Sequence, residues 1–487
     1  MIKRAGVLAL LVAAALVAAA GWLQAAGQGG GAAARPAAPA RPVKPLAVAA
    51  GSAFRVPVQH TTLKNGLRVV VSPDDRSPIV VVEVMYNIGF RLEPKGRTGF
   101  AHLFEHMMFQ GSASLGKTEH VKIVQRNGGV LNGSTRFDYT NYFEVMPSNT
   151  LDLALWLEAD RMRSLKITPE TLKNQQNVVS EEVRVNVLNQ PYGGFEWLGL
   201  PQRANTNWYN AHNFYGDLSE LEAATIEDVQ TFFDTYYAPN NAVLVVVGDT
   251  TFDEVVTLAE KHFGGLPSRR LPPRPDVSEP AQTAEKTFTE DDTLARTPAV
   301  AFGYHLPPRL TRDFYAMTLL DPLLVGDESA RLYQALVKEQ QIATSMFGGF
   351  NLLGNNFDFN GPMLYTIRID YKGEKTGRDV LMGVDKVIGA IQANGVTEEE
   401  LRRARTAYKS SFFEELEGGF IPGFGKANLL AALTLFDGDP GRINTILAEL
   451  DTVTPADVQR AAQKYLTPAN RTSIDRRPAR SATGGVQ

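Results

Sequence analysis

Thr225-Ile226-Glu227-Asp228-Val229-Gln230 recurs, 229 residues further along, as Thr454-Pro455-Ala456-Asp457-Val458-Gln459. The match continues without a gap: Tyr236, Pro239 and Asn241 return as Tyr465, Pro468 and Asn470. Both copies read as a capped helix followed by a Pro-x-Asn turn, and a strand follows the turn in the first copy. Seven identities at one offset favour a duplication over two unrelated helix-turn segments with similar caps. The expected fold class is therefore α+β, with two homologous domains, each a mixed or antiparallel sheet packed with helices.

The rest of the chain agrees with that division. Its 487 residues exceed what one ordinary core accommodates. Leu67 to Val71 and Ile79 to Val84 read as strands, set off by the turn signals Asn65-Gly66 and Pro73-Asp74-Asp75-Arg76. Helical patterns follow around 99–111, 118–127, 149–164 and 168–188. The Pro-rich stretch from Pro267 to Pro280 separates the halves. These signals place a first domain at 53–265, a linker at 266–293, a second domain at 294–475 and a tail at 476–487.

Upstream, residues 1–26 read as a signal peptide or N-terminal anchor. Lys3 and Arg4 precede an apolar run from Gly6 to Ala20, and Ala18-x-Ala20 suits signal peptidase. The run is also nearly long enough to span a bilayer. Either reading exports the folded part to the periplasm or cell envelope. Residues 27–52, mostly Gly, Ala and Pro, form a tether with too little apolar surface to fold.

Composition excludes several functions. A net charge of −4 without a long basic run gives no basis for binding nucleic acid. With no cysteine, disulfides and thiolate metal ligands are ruled out, so a transition-metal site must use His and carboxylates. His102-Leu103-Phe104-Glu105-His106 offers such a site. On a helix, positions four apart share a face, so His102 and His106 can present two imidazoles to one ion. Glu105 stands next to the second imidazole, within reach of a water at that ion as general base. Zinc would acidify such a water and polarise a carbonyl, which is the chemistry of peptide hydrolysis. A catalytic zinc takes a third protein ligand from elsewhere. Glu181 and Glu182 both lie on a predicted helix, and spacing alone does not choose between them because their side chains diverge by about 100°.

From about Val56 to Pro468 the sequence resembles the pitrilysin/insulinase family of inverted-motif zinc peptidases. The resemblance rests on Gly99-Phe100-Ala101-His102-Leu103-Phe104-Glu105-His106-Met107, on Leu131-Asn132-Gly133-Ser134-Thr135 and on Glu158-Ala159-Asp160-Arg161-Met162. It also rests on the Glu182 segment running to Asn189-Gln190-Pro191-Tyr192-Gly193. It implies one Zn2+ per chain held by His102, His106 and Glu182, with Glu105 as the catalytic base. Glu182 is favoured because it stands three residues after Val179 and nine before Pro191, as the family ligand does. It also implies that Asn132, Gly133 and Ser134 lie on an edge strand that pairs with extended substrate, a mode tolerant of many sequences.

One departure changes the expectation. Family members carry an Arg and a Tyr, seven residues apart, in the second type of domain, where they serve the oxyanion. Here Val337 and Thr344 occupy those positions, and the second half holds one histidine, His305, and no second metal motif. The chain is therefore expected to be the zinc-bearing endopeptidase subunit of a homologous pair whose partner supplies Arg and Tyr, or a homodimer. The competing reading is a peptide-binding or scaffold subunit with structural or vestigial zinc. A dedicated processing protease and a general scavenger of peptides are equally compatible with the sequence.

Overall fold

The computed structural model describes residues 55–417 and 421–479. The expected signal or anchor segment, and the tether as far as Phe54, lie outside the described residues. Among the described residues, no helix is long and apolar enough to cross a membrane.

The first half builds a six-stranded mixed sheet. Its members are β1 (Gln59–Thr62), β2 (Arg68–Pro73), β3 (Ile79–Tyr86), β4 (Val130–Thr135), β5 (Thr140–Pro147) and β6 (Ala242–Gly248), in the order β1-β2-β6-β3-β5-β4. Between β3 and β4 lies helix α1 (Phe100–Met107), which carries the two histidines. After β5 come α2 (Leu151–Arg163) and α3 (Pro169–Val183), and α4 (Ile226–Tyr236) precedes β6. The second half contributes β7 (Lys286–Asp292), β8 (Ala299–His305), β9 (Ala343–Phe350) and β10 (Leu364–Tyr371). It continues with α5 (Phe424–Asp437), α6 (Pro455–Tyr465) and β11 (Arg471–Pro478). These five strands form a second mixed sheet, in the order β7-β11-β8-β10-β9.

The two sheets share one plan. In each, a parallel pair (β2 with β6, β7 with β11) continues through three antiparallel neighbours. The repeat noticed in sequence sits at equivalent places: α4 and α6 begin 229 residues apart, and so do β6 and β11. Thr225 and Thr454 each cap their helix reciprocally with Asp228 and Asp457. The strand expected after the first copy thus follows the second copy as well. β7 lies inside the stretch assigned to the linker, and β11 runs past residue 475 into the stretch assigned to the tail.

The halves are interleaved. Residues 195–204 of the first half pack on β8, β10 and β11, while α5 of the second half packs on β3 and β6. Their starts, Phe195 and Phe424, are again 229 residues apart. This exchange explains why the central strands of the first sheet carry valine on both faces. Val69 and Val71 pack with that half's own helices, whereas Val70 joins the core shared with the second half. A sheet buried on both faces favours apolar residues on both rather than in alternation.

Polar side chains also bridge the halves. Asn141 on β5 donates to Glu83 (2.7 Å) and to Asn428 of α5 (3.2 Å), and accepts from Ser134 Oγ on β4 (2.6 Å). Tyr139 donates to Asp358 (3.0 Å). Being buried and hydrogen-bonded, these groups hold the edge strand β4 in register with the second half.

Candidate active site

Helix α1 is held at its N-terminus by a carboxylate from outside the motif. Glu93, fully buried, accepts from the backbone N–H groups of Gly99 (2.9 Å) and Ala101 (2.7 Å), and His212 Nε2 lies 3.4 Å from its other side. Its oxygens accept from donors that a helix leaves open, while burial raises its pKa. Gly99 sits at φ +84°, and a Cβ on it would lie 2.6 Å from the carbonyl oxygen of Tyr215. Two backbones therefore cross at this point, and only glycine fits. Gly99→Ala is expected to cost at least about 2 kcal/mol, from the left-handed conformation and the clash together, read as a lower midpoint of urea unfolding.

Two helices then bring three donors together. His102 and His106 project from one face of α1, and Glu182 reaches them from α3. The His102 and His106 Nε2 atoms are 3.3 Å apart. Glu182 Oε2 is 3.2 Å from His106 Nε2, and Glu182 Oε1 is 3.6 Å from His102 Nε2. Glu181, which sequence alone left as an alternative, points to solvent beside Arg184. Burial opposes a charge on His102, but the Glu182 carboxylate, with Glu105 and Glu93, carries its pKa above the ordinary value. Burial likewise opposes the Glu182 anion, and the two histidines more than reverse it, holding that carboxyl well below the usual range.

This donor set fits a zinc ion. Ligands about 2.0–2.1 Å from a tetrahedral zinc stand about 3.3 Å from one another, close to the three separations found here. Glu182 Oε1 is buried without a hydrogen-bond partner among the described residues, as an oxygen reserved for a cation would be. Glu105, half-buried, makes no hydrogen bond or ion pair among the described residues, so its carboxylate is free beside the three donors.

Asn132, Gly133 and Ser134 lie on β4, which pairs with β5 on one side and forms the end of the sheet on the other. Thr135, at its end, donates to the carbonyl of Ala101 in α1 (3.3 Å), which ties the open edge to the histidine helix. Val337 and Thr344 offer nothing comparable. Val337 packs on the second-half core, and the Thr344 hydroxyl donates to the Asp370 carbonyl across the sheet (3.1 Å).

Sequence reasoning did not find Glu93, His212 or Tyr215. The Tyr215 ring meets His102 edge-on, with centroids 5.0 Å apart, and its other side meets Trp197. Burial, then the Glu182 and Glu105 charges, push its phenol above the ordinary value. The left-handed glycines Gly99 and Gly216 mark the crossing that places it, but their partnership is visible only in three dimensions.

A second His/carboxylate group, His120, Glu144 and Glu158, lies wholly buried behind the site. Its members find partners in one another and in Arg161. Burial pushes His120 down to about 3 and Glu144 up to about 8, each towards its neutral form, and the two share one contact of 3.2 Å. Glu158 has its counter-ion in Arg161, whose Nε donates to it at 2.8 Å.

The family described as insulinase (peptidase family M16) matches residues 68–193, and the peptidase M16 inactive domain matches residues 223–408. Zinc protease PqqE of Helicobacter pylori is 30% identical over 370 residues, covering 74% of this chain and 80% of that protein. The chain belongs to peptidase family M16. An uncharacterized zinc protease of Mycobacterium leprae is 26% identical to this M16 chain over 433 residues, covering 84% of it and 89% of the relative. The crystal structure of a protease from Helicobacter pylori superposes with a TM-score of 0.80 at 27% identity, covering 87% of this chain and 100% of that one. The periplasmic protease PqqL from Escherichia coli superposes with a TM-score of 0.70 at 17% identity, and speaks to the fold alone; the match covers 87% of this chain and 48% of that one. Membership agrees with the site: the histidine motif lies within the residues matched to insulinase, and the second match has no counterpart of it.

Proposed function

We propose that this M16 protein is an exported zinc endopeptidase acting on peptides or unfolded segments. The observation that carries the reading is the tetrahedral spacing of His102, His106 and Glu182 with the free Glu105 carboxylate beside them. These three residues would hold one zinc ion, which when bound supplies Lewis acidity to a water and to the scissile carbonyl. Glu105 takes the proton of the attacking water and returns it to the leaving amine. The open edge of β4, at Asn132, Gly133 and Ser134, aligns an extended substrate through backbone hydrogen bonds, so that recognition depends little on side chains. The reading of residues 1–26 as a signal or anchor supports export to the periplasm or cell envelope.

The active site is completed in trans. Because Val337 and the engaged Thr344 offer no donor, a homologous partner, or a second copy of this chain, supplies an Arg and a Tyr to the oxyanion. The match to an inactive domain favours a second reading, a peptide-binding subunit with structural zinc. The unpaired Glu105 weighs against it, since a structural metal site has no use for a free base.

Cleavage of a quenched fluorescent peptide tests both parts. Dialysis against a chelator is expected to abolish turnover and stoichiometric zinc to restore it; turnover indifferent to both removes the zinc reading. If the purified chain, verified as monomeric, cleaves at a rate that no partner increases, the pairing fails.

A further inference from the structure

Tyr215, whose ring packs against the ligand His102, is left unused by the proposed mechanism. It is 8% exposed, and its ring is wedged between His102 and Trp197. A buried tyrosine hydroxyl ordinarily finds a hydrogen-bond partner. That of Tyr215 makes none among the described residues, and it is not sealed from solvent. The charges that act on it are those of Glu182 and Glu105 and that of Arg136, which follows β4. The crossing of Gly99 and Gly216 fixes the backbone on either side of it: a Cβ on Gly216 would lie 2.3 Å from Gly99 N. Tyr215 is therefore held rigidly, with a hydroxyl that the protein itself does not consume.

Resting on the peptidase reading, we infer that Tyr215 is a catalytic residue whose hydroxyl donates a hydrogen bond to the carbonyl oxygen of the scissile peptide as charge develops on it. Phenol is a donor at neutral pH, and a preorganised donor of this kind acts mainly in the transition state. No bond to Tyr215 forms and its proton stays on the phenol. The role differs from that of the Arg and Tyr expected from a partner: Tyr215 approaches from the zinc half, beside the ligand helix. The chain alone would then retain a measurable basal rate.

Tyr215→Phe keeps the ring against His102 and removes only the hydroxyl. In the full chain, with its partner where one is required, kcat is expected to fall about 10²- to 10³-fold, with KM within about twofold and zinc content unchanged. A readout independent of turnover is the affinity of a Phe–Ala phosphinic pseudopeptide, which mimics the tetrahedral oxyanion, against that of the Phe–Ala peptide of equal length. The variant is expected to bind the phosphinate about tenfold or more weakly and the peptide equally well. An unchanged kcat, or an unchanged ratio of the two affinities, overturns the assignment. Should the wild-type protein hydrolyse nothing, the peptidase reading fails, and the affinity ratio still decides whether Tyr215 serves an oxyanion. Equal unfolding midpoints of wild type and variant exclude misfolding as the cause of a loss.

Discussion

Glu105→Gln is expected to lower peptide turnover by about 10²- to 10⁴-fold while the protein keeps its zinc. The two effects separate because the structure separates the two jobs. His102, His106 and Glu182 converge on one point with donor separations of 3.2–3.6 Å, and Glu105 shares no hydrogen bond or ion pair with any of them, only the effect of its charge on His102. The amide is the same size as the carboxylate, so the half-buried position is filled and α1 is not disturbed. What disappears is the group that can take up and return a proton. A structural zinc site predicts the same retained zinc and unchanged peptide binding but no catalytic loss, because there would be no turnover to lose. Metal analysis and initial rates on one preparation make the comparison. A variant that loses zinc together with activity would show that Glu105 is needed for the site itself, and would remove its assignment as the base.

Much of this was legible in the sequence, and for identifiable reasons. A cap, a helix and a turn are local, so Thr225 and Asp228 announce α4, and their repetition at Thr454 and Asp457 announces a second copy. The histidine pair is local too, since four residues on a helix fix a shared face. The exchanged segments were not legible, although they begin at the same offset. Phe195 and Phe424 are identical, but the following residues need only fit against a foreign sheet, which constrains burial rather than identity. β7 was hidden because Lys286-Thr287-Phe288-Thr289-Glu290-Asp291-Asp292 is an edge strand, half solvent-facing, and its charges read as linker. The choice between Glu181 and Glu182 needed the direction of α3 relative to α1, which no spacing within one helix supplies. Glu93, His212 and Tyr215 reach the site through loops whose course is set by tertiary contacts such as the Gly99–Gly216 crossing.

The largest effect on stability is expected from a residue that touches neither metal nor substrate. Arg161→Met should destabilise the protein by about 3–5 kcal/mol. Glu158, on the same helix, is fully buried, and Arg161 is its counter-ion. The histidine beside it, His120, does not take over, because burial pushes its pKa down to about 3. The guanidinium also lies 4.6 Å from the Tyr142 ring centroid, a contact worth about 1–2 kcal/mol when desolvated. Tyr142 in turn donates to the Phe104 carbonyl of α1 (2.9 Å), so the loosened core lies directly under the histidine helix. Zinc retention during urea titration should therefore fall together with the unfolding midpoint. Removing both charges by Arg161→Met with Glu158→Leu should restore much of the stability, since the cost comes from the stranded carboxylate rather than from losing an ion pair as such. A double variant no more stable than Arg161→Met would mean that the guanidinium acts by packing on Tyr142, not by neutralising Glu158.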